Sequence, residues 1–165
     1  MSTYTLISSQ VLGSSAASVT FSSIPSTYKD LVLRMSIRTT ATGNFPSRFT
    51  VGFNGVTTNL SGRYLTGYVS AGTGYAESGT VTQPPLANSA GSTANTFSNI
   101  EVYVPSYAVS QNKPFSVHTA TEYNSADYAQ NEVDAMLWSN TAAITSLTLS
   151  GLTFAIGSSF YLYGI

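Results

Sequence analysis

The sequence predicts an all-β protein: one antiparallel β-sandwich over residues 1–165, jelly-roll-like, with about eight to ten strands. Three observations carry this. Apolar and polar residues alternate with period two along most of the chain, the runs are separated by Gly, Ser, Asn and Pro, and helical signals are nearly absent.

In order along the chain, "SVTFSSI" sets Val19 and Phe21 on one face. "KDLVLRMSIRT" places Leu31, Leu33, Met35 and Ile37 against Asp30, Arg34, Ser36 and Arg38, a half-buried strand. "SRFTVGFNG" alternates Phe49, Val51 and Phe53 with Thr50 and Gly52, then reaches Asn54-Gly55, the strongest short turn signal. "NIEVYVP" sets Ile100, Val102 and Val104 against Glu101 and Tyr103. "PFSVHTATEYN" opposes Phe115, Val117, Thr119, Thr121 and Tyr123 to Ser116, His118, Ala120 and Glu122. In residues 127–139, Ala, Glu, Met and Leu favour a helix. The alternation of Val133, Ala135 and Leu137 with Glu132, Asp134 and Met136, between β-rich neighbours, selects a strand. "ITSLTLSG" and "SSFYLYGI" complete the series. Residues 70–95, rich in Gly, Ser, Thr, Asn and Pro, read as a long loop excursion from the same domain or as a pair of short edge strands.

The closing strand poses a question of its own. Terminal residues fray unless tied down, yet this chain ends Phe160, Tyr161, Leu162, Tyr163, Gly164, Ile165. A last strand paired on both edges would be held by its ladder. Phe160 and Leu162 then line the core, and Tyr161, Tyr163 and Ile165 share the opposite face. Tyrosine is enriched where one surface meets another. Tyr161, Tyr163, Ile165 and, in "NIEVYVP", Tyr103 are therefore candidate subunit-interface residues, unless the chain's own N-terminal segment or a loop folds over them.

Composition narrows the function. Charged residues make up 8% of the chain, with six basic and seven acidic side chains and a net charge of −1. No positive patch of the kind that neutralises phosphates is visible, so nucleic acid is not an expected partner. Ser and Thr, roughly three residues in ten, must cover much of the surface. Small net charge leaves little repulsion between copies, which suits a protein that sits against neighbours. There is no cysteine, hence no disulfide or thiolate metal site. No secretory leader and no long apolar run is visible, so folding in a cytoplasm and no membrane partner are expected.

No catalytic, metal or cofactor site is expected. The one histidine, His118, lies on the polar side of its strand, and no nucleophile elbow accompanies the many serines. Glu101 and Glu122 could share an outer face as a carboxylate pair for glycoside cleavage, but nothing else supports it. "GTGYAES" lacks the third glycine of the dinucleotide fingerprint, the Lys-Ser/Thr and the strand-to-helix setting of a phosphate loop. A better-founded alternative is sugar binding without catalysis. Tyr64, Tyr68 and Tyr75 in "RYLTGYVSAGTGY" offer flat faces for stacking, amid hydroxyl and amide groups.

The opening "YTLISSQVLGSSAASVTFSSIPSTYKDLVLRMSIRT" and the close "LWSNTAAITSLTLSGLTFAIGSSFYLYGI" resemble small β-rich virion proteins of tailed bacteriophages. "NIEVYVPSYAVSQNKPFS" adds a weaker likeness, and residues 40–95 add none. Proteins of this kind serve as head decoration (cement) proteins or as distal domains of tail fibres. The resemblance implies a virion component assembled in a bacterial cytoplasm. Its partners would be the major capsid protein and copies of itself, as a homo-trimer, or a host surface glycan in the tail-fibre case. A head location is the expectation, because no shaft or anchoring segment precedes residue 4.

Overall fold

A computed structural model describes every residue except 1–2, 44, 71–72, 123 and 125–127. Thirteen strands and no helix are found among the described residues. They are Thr5–Val11 (β1), Val19–Phe21 (β2), Leu31–Ile37 (β3), Ser47–Arg48 (β4), Thr50–Phe53 (β5), Leu60–Ser70 (β6), Thr73–Thr80 (β7), Leu86–Ala87 (β8), Ser98–Val104 (β9), Lys113–Glu122 (β10), Tyr128–Trp138 (β11), Leu147–Ser150 (β12) and Ser159–Gly164 (β13). An eight-stranded antiparallel sheet runs β1-β13-β3-β9-β10-β11-β6-β7, a three-stranded one runs β2-β12-β5, and β4 pairs with β8. The expected antiparallel sandwich is the architecture found. The strand count exceeds the expected range because pieces as short as β4 and β8 carry no alternation that a sequence could display.

The core lies between the two larger sheets. Leu33, Met35, Ile100, Val102, Val117, Phe160 and Leu162 from the large sheet meet Val19, Phe21, Val51, Phe53, Leu147 and Leu149 from the small one, all nearly without solvent contact. Aromatic edges join the layers: Phe53 lies 5.3 Å from both Phe115 and Trp138, and Phe154 lies 5.3 Å from Phe49 and 5.4 Å from Phe160. Asn54-Gly55 makes the expected two-residue turn, with φ of 52° and 75° and mutual hydrogen bonds between Phe53 and Val56.

The last strand is tied as its sequence required. β13 pairs with β1 on one edge and β3 on the other. Ile165 adds backbone bonds to Lys29 and Asp30 at 2.7–3.2 Å. Phe160 and Leu162 face inward. Gly164 is also inward, and the Tyr28 ring lies where its side chain would be, so only glycine fits there.

Two expectations need correction. Residues 70–95 are not loop throughout: Thr73–Thr80 is an edge strand zipped onto β6 from Arg63↔Thr80 to Ser70↔Thr73. Of the two readings offered for this stretch, edge strand holds there and loop holds further on. Residues 128–138 form the expected strand (residue 127 lies outside the described residues), but its faces are the reverse of what polarity suggests. Glu132, Asp134 and Met136 are buried, whereas Val133 is 52% exposed. Pairing decides this. Phe115 and Val117, both core residues, stand opposite Met136 and Asp134, and a one-residue slip would turn Trp138 outward.

Two cations act as structural hubs. Lys113 is fully buried without an acidic partner among the described residues, and its Nζ donates to the carbonyls of Val109, Gln111 and Thr141 at 2.5–3.2 Å. Burial pushes its pKa down. Arg38, just past β3, donates to the carbonyls of Ala90, Ser92, Thr93 and Thr96 at 2.7–3.1 Å and so shapes the 90–96 loop. Lysine has neither the fork nor the reach for four acceptors. Arg38→Lys is expected to cost about 2–3 kcal/mol, since hydrogen bonds to charged groups are worth about 1.5–3 kcal/mol. Denaturant melts would read the loss, and limited proteolysis should show faster cutting within 90–96.

Candidate functional site

Two surfaces collect the candidate residues. The first is the outer face of the large sheet, where the register lines up side chains in rows. One row reads Leu6, Tyr163, Val32, Tyr103, Ser116, Ala135, Arg63, Thr80. The next reads Ser9, Tyr161, Arg34, Glu101, His118, Val133, Leu65, Ser78. Tyr161, Tyr163 and Tyr103 thus share one neighbourhood, and each is half-buried.

The chain itself supplies part of their cover. Tyr4 packs edge-on against Tyr163 at 5.9 Å, and the Arg34 guanidinium lies 4.8 Å from the Tyr4 ring. Tyr103 donates to Asp30 Oδ2 at 2.9 Å, and burial is the main reason its pKa is raised. Ile165, half-buried, is anchored through its backbone as described. The middle of this face is polar: Arg34 Nε donates to Glu101 Oε2 at 3.0 Å, and His118 Nε2 lies 2.9 Å from Asn131 Oδ1. Beside it, Tyr103, Pro105, Pro114, Val133, Ala135 and Leu65 line a shallow, mainly apolar groove of about 750 Å³, with Arg63 at its rim. Val133 and Leu65 expose 52% and 63% of their surface. A pair of neighbouring apolar side chains this open is the kind of patch that marks a contact surface.

Glu101 and Glu122 do lie on adjoining strands. Glu101 stands opposite His118, and Glu122 is a further four residues along β10, about 13 Å at strand rise. That is beyond the separations at which two carboxyl groups cleave a glycoside, at most about 9.5 Å.

The second surface is the inner face of the sheet where β6 and β7 run past the small sheet. Tyr64, Tyr68 and Tyr75, singled out from sequence, all lie there. Tyr68 stacks on Tyr75 at 5.2 Å with planes 21° apart, and on Tyr128 at 5.9 Å and 28°. Phe45 closes the row edge-on against Tyr128 at 5.1 Å. Tyr64 stands apart from the stack. Its ring lies over Gly79, where an added Cβ would approach to 2.8 Å, and its hydroxyl donates to Glu77 at 3.2 Å. The guanidinium of Arg48 covers the Tyr64 ring at 5.2 Å.

Along the same face of β11 lie two residues that the sequence did not single out as a site. Glu132 and Asp134, two apart on β11, occupy the same buried face with no solvent contact. Arg48 meets Glu132 with Nη1 and Nη2 each 2.8 Å from a carboxylate oxygen, and Gln130 Nε2 donates to Glu132 at 3.3 Å. Asp134 has no donor on either oxygen among the described residues. Its pKa is pushed up to about 8, first by burial and then by the neighbouring Glu132 charge. Glu132 is raised too, mainly by burial, against the pull of Arg48. Both carboxyls are sealed from solvent, so they cannot reach a substrate. The spacing of the two acids in a strand was the available signal. Tyr128, Phe45 and Arg48 had none, since they come from separate elements. Among the described residues, no cluster of three or more His, Cys, Asp or Glu side chains is placed to hold a metal ion.

Comparison with protein families, curated proteins and solved structures finds no match for this chain.

Proposed function

We propose that this protein is a structural component of a phage virion, a head decoration protein that docks on capsid subunits and on its own copies through the outer face of the large sheet. The virion setting rests on the sequence resemblance. The observation that favours docking is the open apolar groove around Val133 and Leu65, contiguous with the tyrosine rows of β13 and β9. Binding only to the assembled shell stabilises that state by mass action, and many modest contacts add through multivalency. A homo-trimer would give each copy several points of attachment.

The test is occupancy on purified particles. Quantitative mass spectrometry is expected to find hundreds of copies per particle, as a shell covering requires. Leu65→Lys with Val133→Lys, both on exposed positions, should leave the melting temperature within a few degrees and strip the protein from the shell. Only tens of copies, or full occupancy by the double variant, would defeat the proposal.

The stacked row Tyr75–Tyr68–Tyr128 favours a second reading, a glycan-binding tail module, because Tyr75 is half exposed with polar neighbours around it. It predicts binding on a glycan array that is lost in Tyr75→Ala, which the docking proposal does not.

A further inference from the structure

We infer that Glu132 and Asp134 hold a single proton between them, and that this proton latches residues 45–48 onto β11 and β6, so that its loss uncovers Tyr64 and the Tyr128 end of the tyrosine row. The geometry points to it independently of either functional reading. Two fully buried carboxyl groups face one guanidinium, and that guanidinium is already committed. Arg48 Nη2 serves Glu132, while Nη1 also donates to the carbonyls of Gln83 and Pro84 at 3.2 and 3.0 Å. With both acids ionised, Asp134 would be a buried anion without a donor. A proton on Asp134 satisfies it through a hydrogen bond to Glu132 and leaves one negative charge for Arg48 to balance.

Among the described residues, the groups facing this pair supply no second positive charge: Gln130 Nε2 donates to Glu132 at 3.3 Å, and no group donates to Asp134. From β6 come Tyr64, opposite Asp134, and Thr66, opposite Glu132. From β10 come Val117 and Thr119. β7 contributes Glu77, whose negative charge adds to the repulsion on Glu132. β4 contributes Arg48 alone. His118 lies on the opposite face of the sheet.

The same few residues hold the Tyr128 end of the aromatic row and the ring of Tyr64. Phe45 packs on Tyr128 and Arg48 on Tyr64, so the 45–48 segment bridges from the row to the acids. When the proton leaves, the buried pair carries two negative charges against one guanidinium. Water must then enter to solvate Asp134, and Arg48, which spans from Glu132 to the ring of Tyr64 opposite Asp134, stands in its way. Release of that segment uncovers the rings of Tyr64 and Tyr128 together.

A built-in reporter makes this testable. Trp138, the chain's only tryptophan, is fully buried on the same face of β11, four residues beyond Asp134. Its emission, together with hydrogen exchange at the amides of Phe45, Ser47 and Arg48, should change in one step centred near pH 8 in the intact protein. Asp134→Asn, which mimics the protonated form, should keep native emission and abolish the step. Should that variant fail to fold, the ¹³C titration of the Asp134 carboxyl in the wild type stands alone. A midpoint well above the ordinary carboxyl range supports the latch. Titration of Asp134 near pH 4, or a step that persists unchanged in Asp134→Asn, overturns it.

Discussion

Phe53→Ala is expected to destabilise the protein by about 3–5 kcal/mol, the cost of emptying a buried aromatic site that cannot collapse. At this chain length that corresponds to a fall in Tm of roughly 10 °C. Phe53 projects from the small sheet and touches two aromatic rings of the large one, Phe115 and Trp138, each at 5.3 Å. Removing it breaks the contact between layers rather than one within a layer. Neighbouring strands are held to each other by their ladders and cannot move in to fill the space. Calorimetry and denaturant melts measure the effect. Val11→Ala, at a position 62% exposed, is the control and should change stability by no more than about 0.5 kcal/mol. A loss below about 1 kcal/mol at Phe53 would mean that the sheets do not depend on this junction.

The second large effect is on the pH dependence of stability. Asp134 has a folded-state pKa raised to about 8 from an ordinary 3.8. Between these values the folded state binds more protons than the unfolded chain, so stability must fall as pH rises. The contribution is fully present below about pH 3.8, shrinks through the window and is gone once pH passes about 8. A tenfold difference in proton affinity between the folded and unfolded chain is worth about 1.4 kcal/mol, so the whole span is on the order of 6 kcal/mol. Glu132, raised in the same direction, steepens the slope. Most proteins lose stability at acid pH because paired carboxylates become protonated; here this pair works the other way. Urea melts from pH 4 to 9 should show the decline, and Asp134→Asn should flatten it and be the more stable protein above pH 8. A wild-type profile that rises over this range would contradict the assignment.

How far the sequence reached can be judged strand by strand. β3, β9, β10 and β13 were legible because their apolar residues recur at every second position and one face of each is buried, so local pattern and final environment agree. The Asn54-Gly55 turn was legible because its backbone conformation suits those two residues and few others. β1 was not singled out as a strand, since every residue from Thr5 to Val11 is exposed or half-buried and no alternation marks it. β7 has the composition of a loop, and becomes a strand only because β6 offers it an edge. Tyr64, Tyr68 and Tyr75 could be picked out as aromatic, but the stacking of Tyr68 needed the partner strand and Tyr128.

By itself, then, the sequence determined the fold class, the inward sets of the central strands and the anchoring of the last one, because period and turn chemistry are properties of neighbouring residues. Only the tertiary structure decided which face of β11 turns inward, and with it the burial of Glu132 and Asp134. Composition would have placed Val133 and Ala135 inside and the acids in water. The register with β10, fixed by Phe115, Met136 and Trp138 packing together, outweighs that preference. A strand turns all its side chains as one, so two carboxyl groups are carried into the core along with the rings, and Arg48, brought from a distant segment, meets them there.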